Sequence, residues 1–378
     1  MSQFLTNEQA YVYGAKTLPQ VTVTSADVFA QEQERIFKRL WMCVGHVSRI
    51  PEPGDYFLQE MFGESLIILR DREQTIRAFY NVCRHRGARI CEAEALNAEG
   101  NGKFRGSIQC AYHAWTYGLD GKLIGAPFMK NVPDFPWDDF PLRAAPVQIW
   151  EGFIFVNLSM ESPLPFGEIF DPLAGRFDMW NMPSLKSEKR IAYDIAANWK
   201  LIFQNFHECY HCPTIHPQLN RLTDYTGAAH DFNEGPVLGG LMELTGGESM
   251  TASGQLCAIP LGNLPPEEMR RGYYYSIMPN LLLNIHPDYL MYHILFPEAP
   301  NRTRLVSEWL FHPQAAQHPG YHPQDAIDFW HETNLQDWHV CELTQQGMQS
   351  QSYTPGWYSP RESLPAAFDR DYMRWMGG

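Results

Sequence analysis

"NVCRHRGA" (residues 81–88) and "IQCAYHAW" (residues 108–115) are the two stretches on which the fold turns. Each offers one thiol and one imidazole within a short span, as Cys83-x-His85 and Cys110-x-x-His113, with residues 86–109 between the pairs. Two such loops can chelate a single tetrahedral zinc. They can equally hold a two-iron, two-sulfide cluster, with both cysteines on one iron and both histidines on the other. Gly87 and Ala88 follow the first pair directly, leaving backbone N–H groups free to approach anionic sulfides, which favours the cluster. Zinc stays open at this point.

The surroundings suit ligand-bearing hairpins. Residues 54 to about 158 look β-rich: "ESLIILR", "TIRAFYNV" and "GFIFVNL" are strand-like runs, and "YGLDGKLIG" carries an Asp-Gly hairpin turn. Before them, "TSADVFAQEQERIFKRLW" (residues 24–41) reads as a helix. Thr24 and Asp27 have capping-box spacing, and Phe29, Ile36, Phe37 and Leu40 share a face. The proline-rich "MESPLPFGEIFDPL" (residues 160–173) is the candidate boundary. Beyond it come a helix around "NWKLIFQNFHECYH" closed by Pro213, three antiparallel strands over about 271–311, and a long helix over "PQDAIDFWHETNLQDWHVCELTQQGMQS". The layout is α+β, a small β domain followed by helices against an antiparallel sheet.

Composition narrows the classes. A chain of 378 residues has room for one large domain or two ordinary ones, and 44% apolar with 19% charged residues is the balance of a soluble globular protein. With no run of 18 apolar residues a membrane span is not expected. The opening "MSQFLTNEQAYVYG" lacks a basic start followed by an apolar run, so no export signal is expected and the cytoplasm is the expected compartment. Eight cysteines in so long a chain are then expected as reduced thiols rather than a disulfide framework. A net charge of −14 speaks against nucleic acid and anionic membranes as partners and suits a cationic substrate or a basic redox partner.

"NFHECYHCPTIHP" (residues 205–217) is the second dense stretch. His207 and His211 at i and i+4 with Glu208 between them form an HExxH match, but in a zinc protease the helix continues past the second histidine, whereas Pro213 stops it here. His207 is expected on a helix face or supporting the site. Cys209-x-x-Cys212 suggests zinc, yet no second CxxC completes four thiolates, so both are expected to pack in the core. His211 and His216 lie roughly 140° apart on an ideal helix. Pro213 bends the chain between them, so that His216 can swing back toward a shared metal.

"CRHRGA" with "CAYHAWTY" resembles the paired cluster-binding boxes of the Rieske non-haem iron oxygenase family, with Ala111 where the second box usually has proline. The likeness runs from "PGDYF" through "NFHECYHCPTIHP" to "MPNLLLNIHPDYLMYH" and "DWHVCE". It implies a [2Fe–2S] cluster on Cys83, His85, Cys110 and His113, at a higher potential than an all-cysteine cluster. It also implies a mononuclear Fe(II) on His211, His216 and a carboxylate of the late helix, leaving open positions for dioxygen and substrate. The match selects Asp337 as that carboxylate, with Asp328 and Asp325 as alternatives. By the same resemblance Glu208 bridges a cluster histidine of one subunit and an iron histidine of its neighbour, along His113–Glu208–His211. Most members have aspartate there; glutamate resembles the subgroup acting on quaternary ammonium compounds.

The resemblance further implies residues 1–40 as a helical segment packing on the catalytic domain, residues 41–162 as a Rieske domain, and residues 163–378 as a catalytic iron domain of helix-grip, START-like fold. It implies a homotrimer, because cluster and iron of one subunit are usually too far apart for fast transfer. No nucleotide fingerprint is present, so electrons are expected from a separate flavin and iron–sulfur reductase using NADH or NADPH. The implied activity is O2-dependent hydroxylation of a carbon next to nitrogen in a compound such as glycine betaine, carnitine or stachydrine, followed by formaldehyde release. The alternative is hydroxylation of an aromatic compound. A cationic head needs aromatic faces, for which Tyr273 to Tyr275, Tyr289 and Trp309 are material.

Overall fold

The computed structural model describes residues 4–159 and 163–377. The chain divides into two compact units, residues 43–163 and residues 1–42 with 164–378. Of the proline-rich stretch at the division, residues 160–162 lie outside the described residues.

The smaller unit is built of antiparallel strands in one five-stranded and two three-stranded sheets. Glu64–Arg70 sits between Asp55–Met61 and Ile76–Tyr80 and buries Leu66 to Leu69 completely. The first Cys-His loop leaves the end of Ile76–Tyr80, and Asn81 clamps it. Its Nδ2 donates to Ser65 Oγ and Cys91 O at 3.1 and 2.8 Å, while its Oδ1 accepts from the Ile90 and Cys91 amides at 3.0 and 2.9 Å. All four bonds are buried, so this loop has no freedom to drift. The second Cys-His loop is the bend of the hairpin Ser107–Gln109 and Thr116–Gly118. The Asp-Gly turn forms as the sequence predicts, with Gly121 at φ +86°.

The larger unit is an antiparallel sheet with helices against it. Its strands are β1 (Leu5–Thr6), β2 (Lys186–Ile195), β3 (Ala229–Phe232), β4 (Val237–Glu243), β5 (Arg271–Ile277), β6 (Leu281–Ile285), β7 (Tyr289–Ala299) and β8 (Arg302–Phe311). They lie in the order β1-β3-β4-β5-β6-β7-β8-β2. The span 271–311 holds four strands, not three. Pro279-Asn280, Pro287-Asp288 and Pro300-Asn301 are three separate turns, and the first of them splits one long apolar run into β5 and β6.

Among its helices are α1 (Ala26–Glu32), α2 (Trp199–Phe206), α3 (Cys212–Ile215), α4 (Gln324–Met348) and α5 (Ser363–Trp375). The cap of α1 is Ser25, whose Oγ accepts from the Val28 amide at 3.3 Å, not Thr24. The Thr24 hydroxyl is engaged one turn earlier, donating to Gln20 O at 3.0 Å. Phe29, Ile36, Phe37 and Leu40 are buried as their spacing predicts. The sequence gives no clear periodicity for α5, because its buried face includes Asp369 and Asp371 alongside small residues.

A buried polar knot ties three parts of the larger unit. Glu32 of α1 accepts from Lys200 Nζ at 2.5 Å, Trp199 Nε1 at 2.9 Å and Tyr372 Oη at 2.6 Å. Glu32 and Lys200 are fully buried, and burial holds the lysine below its ordinary pKa despite its acidic partner. Removing one partner strands the other charge, at a cost of about 3–5 kcal/mol, whereas replacing both with apolar groups is far milder. Glu32→Leu and Lys200→Met are therefore each expected to lower the thermal midpoint of the larger unit more than the double variant does; calorimetry of the three proteins checks this.

Candidate metal centres

Helix α2 stops at Phe206, well before Pro213, and the reason is Glu208. Its carboxylate accepts from the backbone amides of Tyr210 and His211, the second at 3.2 Å, replacing helical bonds with a tight turn. Pro213 does not close a helix; it sits in the first turn of α3, where a missing N–H has no consequence. One turn of α3 then carries the chain from His211 to His216, which brings the rings to a centroid separation of 5.1 Å. The two imidazoles converge through this turn-and-restart, not through a bent continuous helix.

Their third partner comes from α4. Asp337 Oδ1 lies 2.8 Å from His216 Nε2 and 3.2 Å from His211 Nε2, and it accepts from Asn205 Nδ2 at 3.1 Å. His211, His216 and Asp337 are the one group among the described residues whose His, Cys, Asp or Glu donors gather closely enough for a single ion. The outer nitrogens are occupied. His211 Nδ1 pairs with Glu208 Oε1 at 2.6 Å, and His216 Nδ1 pairs with Gln336 Oε1 at 2.6 Å, which also accepts from Gln218 Nε2 at 2.9 Å. Both Nε2 atoms are thus turned inward, as a metal site requires. Burial would raise the Asp337 pKa, but hydrogen bonds from both histidines and their charges hold it at about 2. Burial would lower that of His211, but Asp337 and Glu208 raise it to about 10. The donor set fits a mononuclear iron.

The other candidates are placed elsewhere. Asp328 accepts from Gln324 on the outer face of α4, and Asp325 accepts from Ser253 Oγ; neither enters the triad. His207 is buried with Nε2 2.6 Å from Ser276 Oγ, and burial with the nearby His230 lowers its pKa to about 3. Cys212 is buried in the core and Cys209 packs against it, as expected, but the pair are not reduced thiols. The turn sets their Cα atoms 4.9 Å apart and they form a disulfide. The other six cysteines are outside any disulfide.

In the smaller unit Cys83 and Cys110 are buried, and the rings of His85 and His113 lie 4.8 Å apart. Burial pushes the Cys83 thiol up, Tyr117 and the His85 backbone pull it partly back, and Cys110 pushes it up again. Tyr117 Oη lies 3.3 Å from Cys83 Sγ and accepts from the Arg84 amide at 3.0 Å. Trp115 stacks on His85 at 4.8 Å. A backbone turn closes each loop, Gly87 N to Cys83 O and Ala114 N to Cys110 O, both at 3.0 Å. Gly87 is exposed, and nothing lies within 4 Å of where its Cβ would stand, so the backbone there is open on that side. The two thiols and two imidazoles suit the cluster.

Residues 182–378 match the family described as ring hydroxylating alpha subunit (catalytic domain), and residues 40–136 match the Rieske [2Fe-2S] domain. The chain belongs to the Rieske non-haem iron oxygenases. It is an alpha subunit, an enzyme of the Rieske-type iron monooxygenase class, with a Rieske domain and a His211/His216/Asp337 triad. The oxygenase is 31% identical to the glycine betaine monooxygenase oxygenase subunit of Chromohalobacter salexigens, over 92% of this chain and 82% of the relative. It is 37% identical to the carnitine monooxygenase oxygenase subunit of Acinetobacter baumannii, over 54% of this chain and 53% of the relative. The crystal structure of the quaternary ammonium Rieske monooxygenase CntA with L-carnitine superposes with a TM-score of 0.78 at 25% identity, covering 96% and 95% of the two chains. Naphthalene 1,2-dioxygenase from Rhodococcus shares the fold, at a TM-score of 0.75 and 21% identity.

A cavity opens beside the triad, with about 890 Å³ of empty space including its mouth. Of the aromatic residues singled out from sequence, only Tyr274 lines it, because side chains alternate along β5. Tyr273 and Tyr275 point the other way, against Trp180 and Phe177. Tyr289 and Trp309 are core. Trp330, Gln336, Asn205 and Asn284 are not legible in the sequence, since none belongs to a spacing pattern; the first three adjoin a ligand-bearing turn or helix face, whereas Asn284 is placed by strand register.

Two outcomes are expected. Asp337→Ala loses the mononuclear iron and keeps the reduced-cluster spectrum, while Asp328→Ala keeps both, as metal analysis and electron paramagnetic resonance read directly. Glu208→Gln retains both metals, since the amide can still accept from His211, but slows cluster reoxidation in a single turnover; an unchanged rate removes the bridging role.

Proposed function

We propose that this oxygenase hydroxylates an N-methyl carbon of a quaternary ammonium compound with O2, and that the product collapses to a tertiary amine and formaldehyde. The observation that carries the reading is the inward convergence of His211, His216 and Asp337 on a cavity that Tyr274, Trp330 and Trp338 also line. Aromatic faces suit a cation that has no hydrogen-bond donor. The names of the relatives support the same substrate class.

On this reading Cys83, His85, Cys110 and His113 hold the cluster, and His211, His216 and Asp337 hold the iron, which when bound supplies the activation of dioxygen. Glu208 keeps His211 in the tautomer that faces the metal and forms the chain's own half of the proposed His113–Glu208–His211 route, at 2.6 Å. Gln336 fixes the His216 tautomer, and Asn205 fixes the Asp337 oxygen. Overall, the methyl C–H becomes C–OH, the second oxygen atom leaves as water, and two electrons and two protons are consumed. Residues 41–162 form the Rieske domain, residues 163–378 the iron domain, and residues 1–40 a segment packing on the latter, as the Glu32–Lys200 pair supports. A homotrimer would complete the route, and a flavin and iron–sulfur reductase would deliver electrons from NADH or NADPH in the cytoplasm. Among the described residues no helix is long and apolar enough to cross a membrane.

The test is a single turnover. The protein is reduced anaerobically, mixed with one quaternary amine or a simple arene, and exposed to oxygen. Formaldehyde with a quaternary amine is the expected result. An arene diol, with no formaldehyde from any amine, reassigns the enzyme to ring hydroxylation.

A further inference from the structure

Five histidines line the cavity beside the triad, and they differ in what their nitrogens do. Those of His211 and His216 are all engaged at the metal site. His207 Nε2 and His230 Nε2 are bonded, to Ser276 and Asn7, while their Nδ1 atoms are unbonded but sealed in the core. His293 of β7 is the exception among the described residues. Its Nδ1 lies 2.7 Å from Ser307 Oγ, whereas its Nε2 is unbonded and not sealed. The residue is 2% exposed and lines the cavity, so the surface it keeps faces inward. Trp338, which follows Asp337, packs edge-on against the His293 ring at 5.8 Å, and Phe206, which follows Asn205, does so at 6.4 Å. His293 therefore stands at the metal end.

From His293 Nδ1 a line of hydroxyls runs outward across the sheet, and strand register sets it. His293 is directly opposite Ser307 of β8, and Ser307 is opposite Ile191 of β2. Tyr193, two residues after Ile191, shares that face, and a tyrosine reaches such a diagonal neighbour. Burial raises the Tyr193 pKa, and Asn334 and Ser307, beside its hydroxyl, pull it back. Tyr193 Oη lies 2.8 Å from Nδ1 of His331 on α4. His331 is half-buried, and Asp328, Glu332 and Leu335 around it are exposed, so this end of the line reaches solvent. The first and last steps are short hydrogen bonds; the middle one, Tyr193 to Ser307, is an approach. Trp338 packs on Tyr193 at 6.0 Å as well as on His293, so one indole runs beside the line.

We propose that His331, Tyr193, Ser307 and His293 form a proton path from solvent to the metal end of the cavity. Imidazoles and hydroxyls accept a proton at a lone pair while releasing another, and a carboxamide does not, which selects Ser307 over Asn334 as the partner of Tyr193. In one passage a proton from solvent binds His331 Nε2 and the Nδ1 proton moves to Tyr193 Oη. The Tyr193 proton moves to Ser307 Oγ, the Ser307 proton to His293 Nδ1, and the His293 Nε2 proton leaves into the cavity. Only N–H and O–H bonds change, and no electron moves. Two passages supply the two protons with which the second oxygen atom leaves as water. Dihydroxylation of an arene consumes two protons as well, so the path is independent of the substrate class. A substrate seated in the cavity fills the space through which water would otherwise carry them.

The experiment is a single turnover of the iron-loaded, reduced holoenzyme in H2O and in D2O, with glycine betaine, carnitine, choline and naphthalene as the probes. Tyr193→Phe and His331→Ala are each expected to slow product formation roughly a hundredfold, the scale of a lost proton-transfer group, and to enlarge the solvent isotope effect. Iron content, and the affinity for the reacting probe read by calorimetry, are expected to stay those of the unaltered protein. Imidazole added to the medium is expected to restore His331→Ala, whose gap opens to solvent, and not Tyr193→Phe, whose gap is internal. Unchanged rates in both variants overturn the path. So does a slow His331→Ala that imidazole leaves slow, because a merely structural role behaves that way. Neutron diffraction of deuterium-exchanged crystals decides the middle step without turnover, whether or not any probe reacts. A deuteron shared between Tyr193 Oη and Ser307 Oγ is the expected result, and the absence of a hydrogen bond between them overturns the path.

Discussion

One carboxylate, that of Glu208, sets the geometry on which the rest of the iron site depends. It takes the amides of Tyr210 and His211 away from the helix, which ends α2 and permits α3 to begin at Cys212. It also takes the outer nitrogen of His211, which points the inner one at Asp337. A single side chain therefore determines where the backbone turns, which tautomer the ligand adopts, and where a charge sits behind it.

The two histidines of the triad are consequently unlike. His211 is backed by an acid, His216 by an amide oxygen that a second glutamine also holds. A carboxylate raises the basicity of an imidazole and can accept its proton; a carboxamide orients the ring and does neither. Only the His211 side can thus respond to charge arriving from beyond the site, while the His216 side is a fixed support. The cluster unit repeats the division of labour. Tyr117 touches a cysteine sulfur, Trp115 stacks on His85, and Asn81 holds the loop backbone without approaching any proposed ligand.

The sequence discloses the chemistry more fully than the backbone that delivers it. Cys83, His85, Cys110 and His113 stand out because thiol and imidazole recur at short spacing. His211 and His216 stand out because three histidines fall within residues 205–217 and Pro213 lies between these two. Asp337 needed the family resemblance, since acids are common on a long helix and Asp325 and Asp328 look no different in composition. Spacing is silent on the turn at Glu208, because a carboxylate capping its own downstream amides has no periodic signature. It is equally silent on the Cys209–Cys212 bond, which depends on that turn. The fourth strand in 271–311 was concealed by an apolar run in which the turn residues are only two positions wide, and α5 by acids that are buried because they meet partners elsewhere in the fold. Tyr193, Ser307 and His293 become conspicuous only when strand register sets them on one face.

The knot around Glu32 has a consequence for the order of assembly. Its members come from residue 32, residues 199 and 200, and residue 372, so the core of the larger unit cannot close until nearly the whole chain has emerged from the ribosome. The smaller unit is a continuous segment ending at residue 163. During synthesis it is therefore complete, with its thiols and imidazoles gathered, while more than half of the chain remains to be made. The iron site has no such head start, because Asp337 is translated long after both of its histidines.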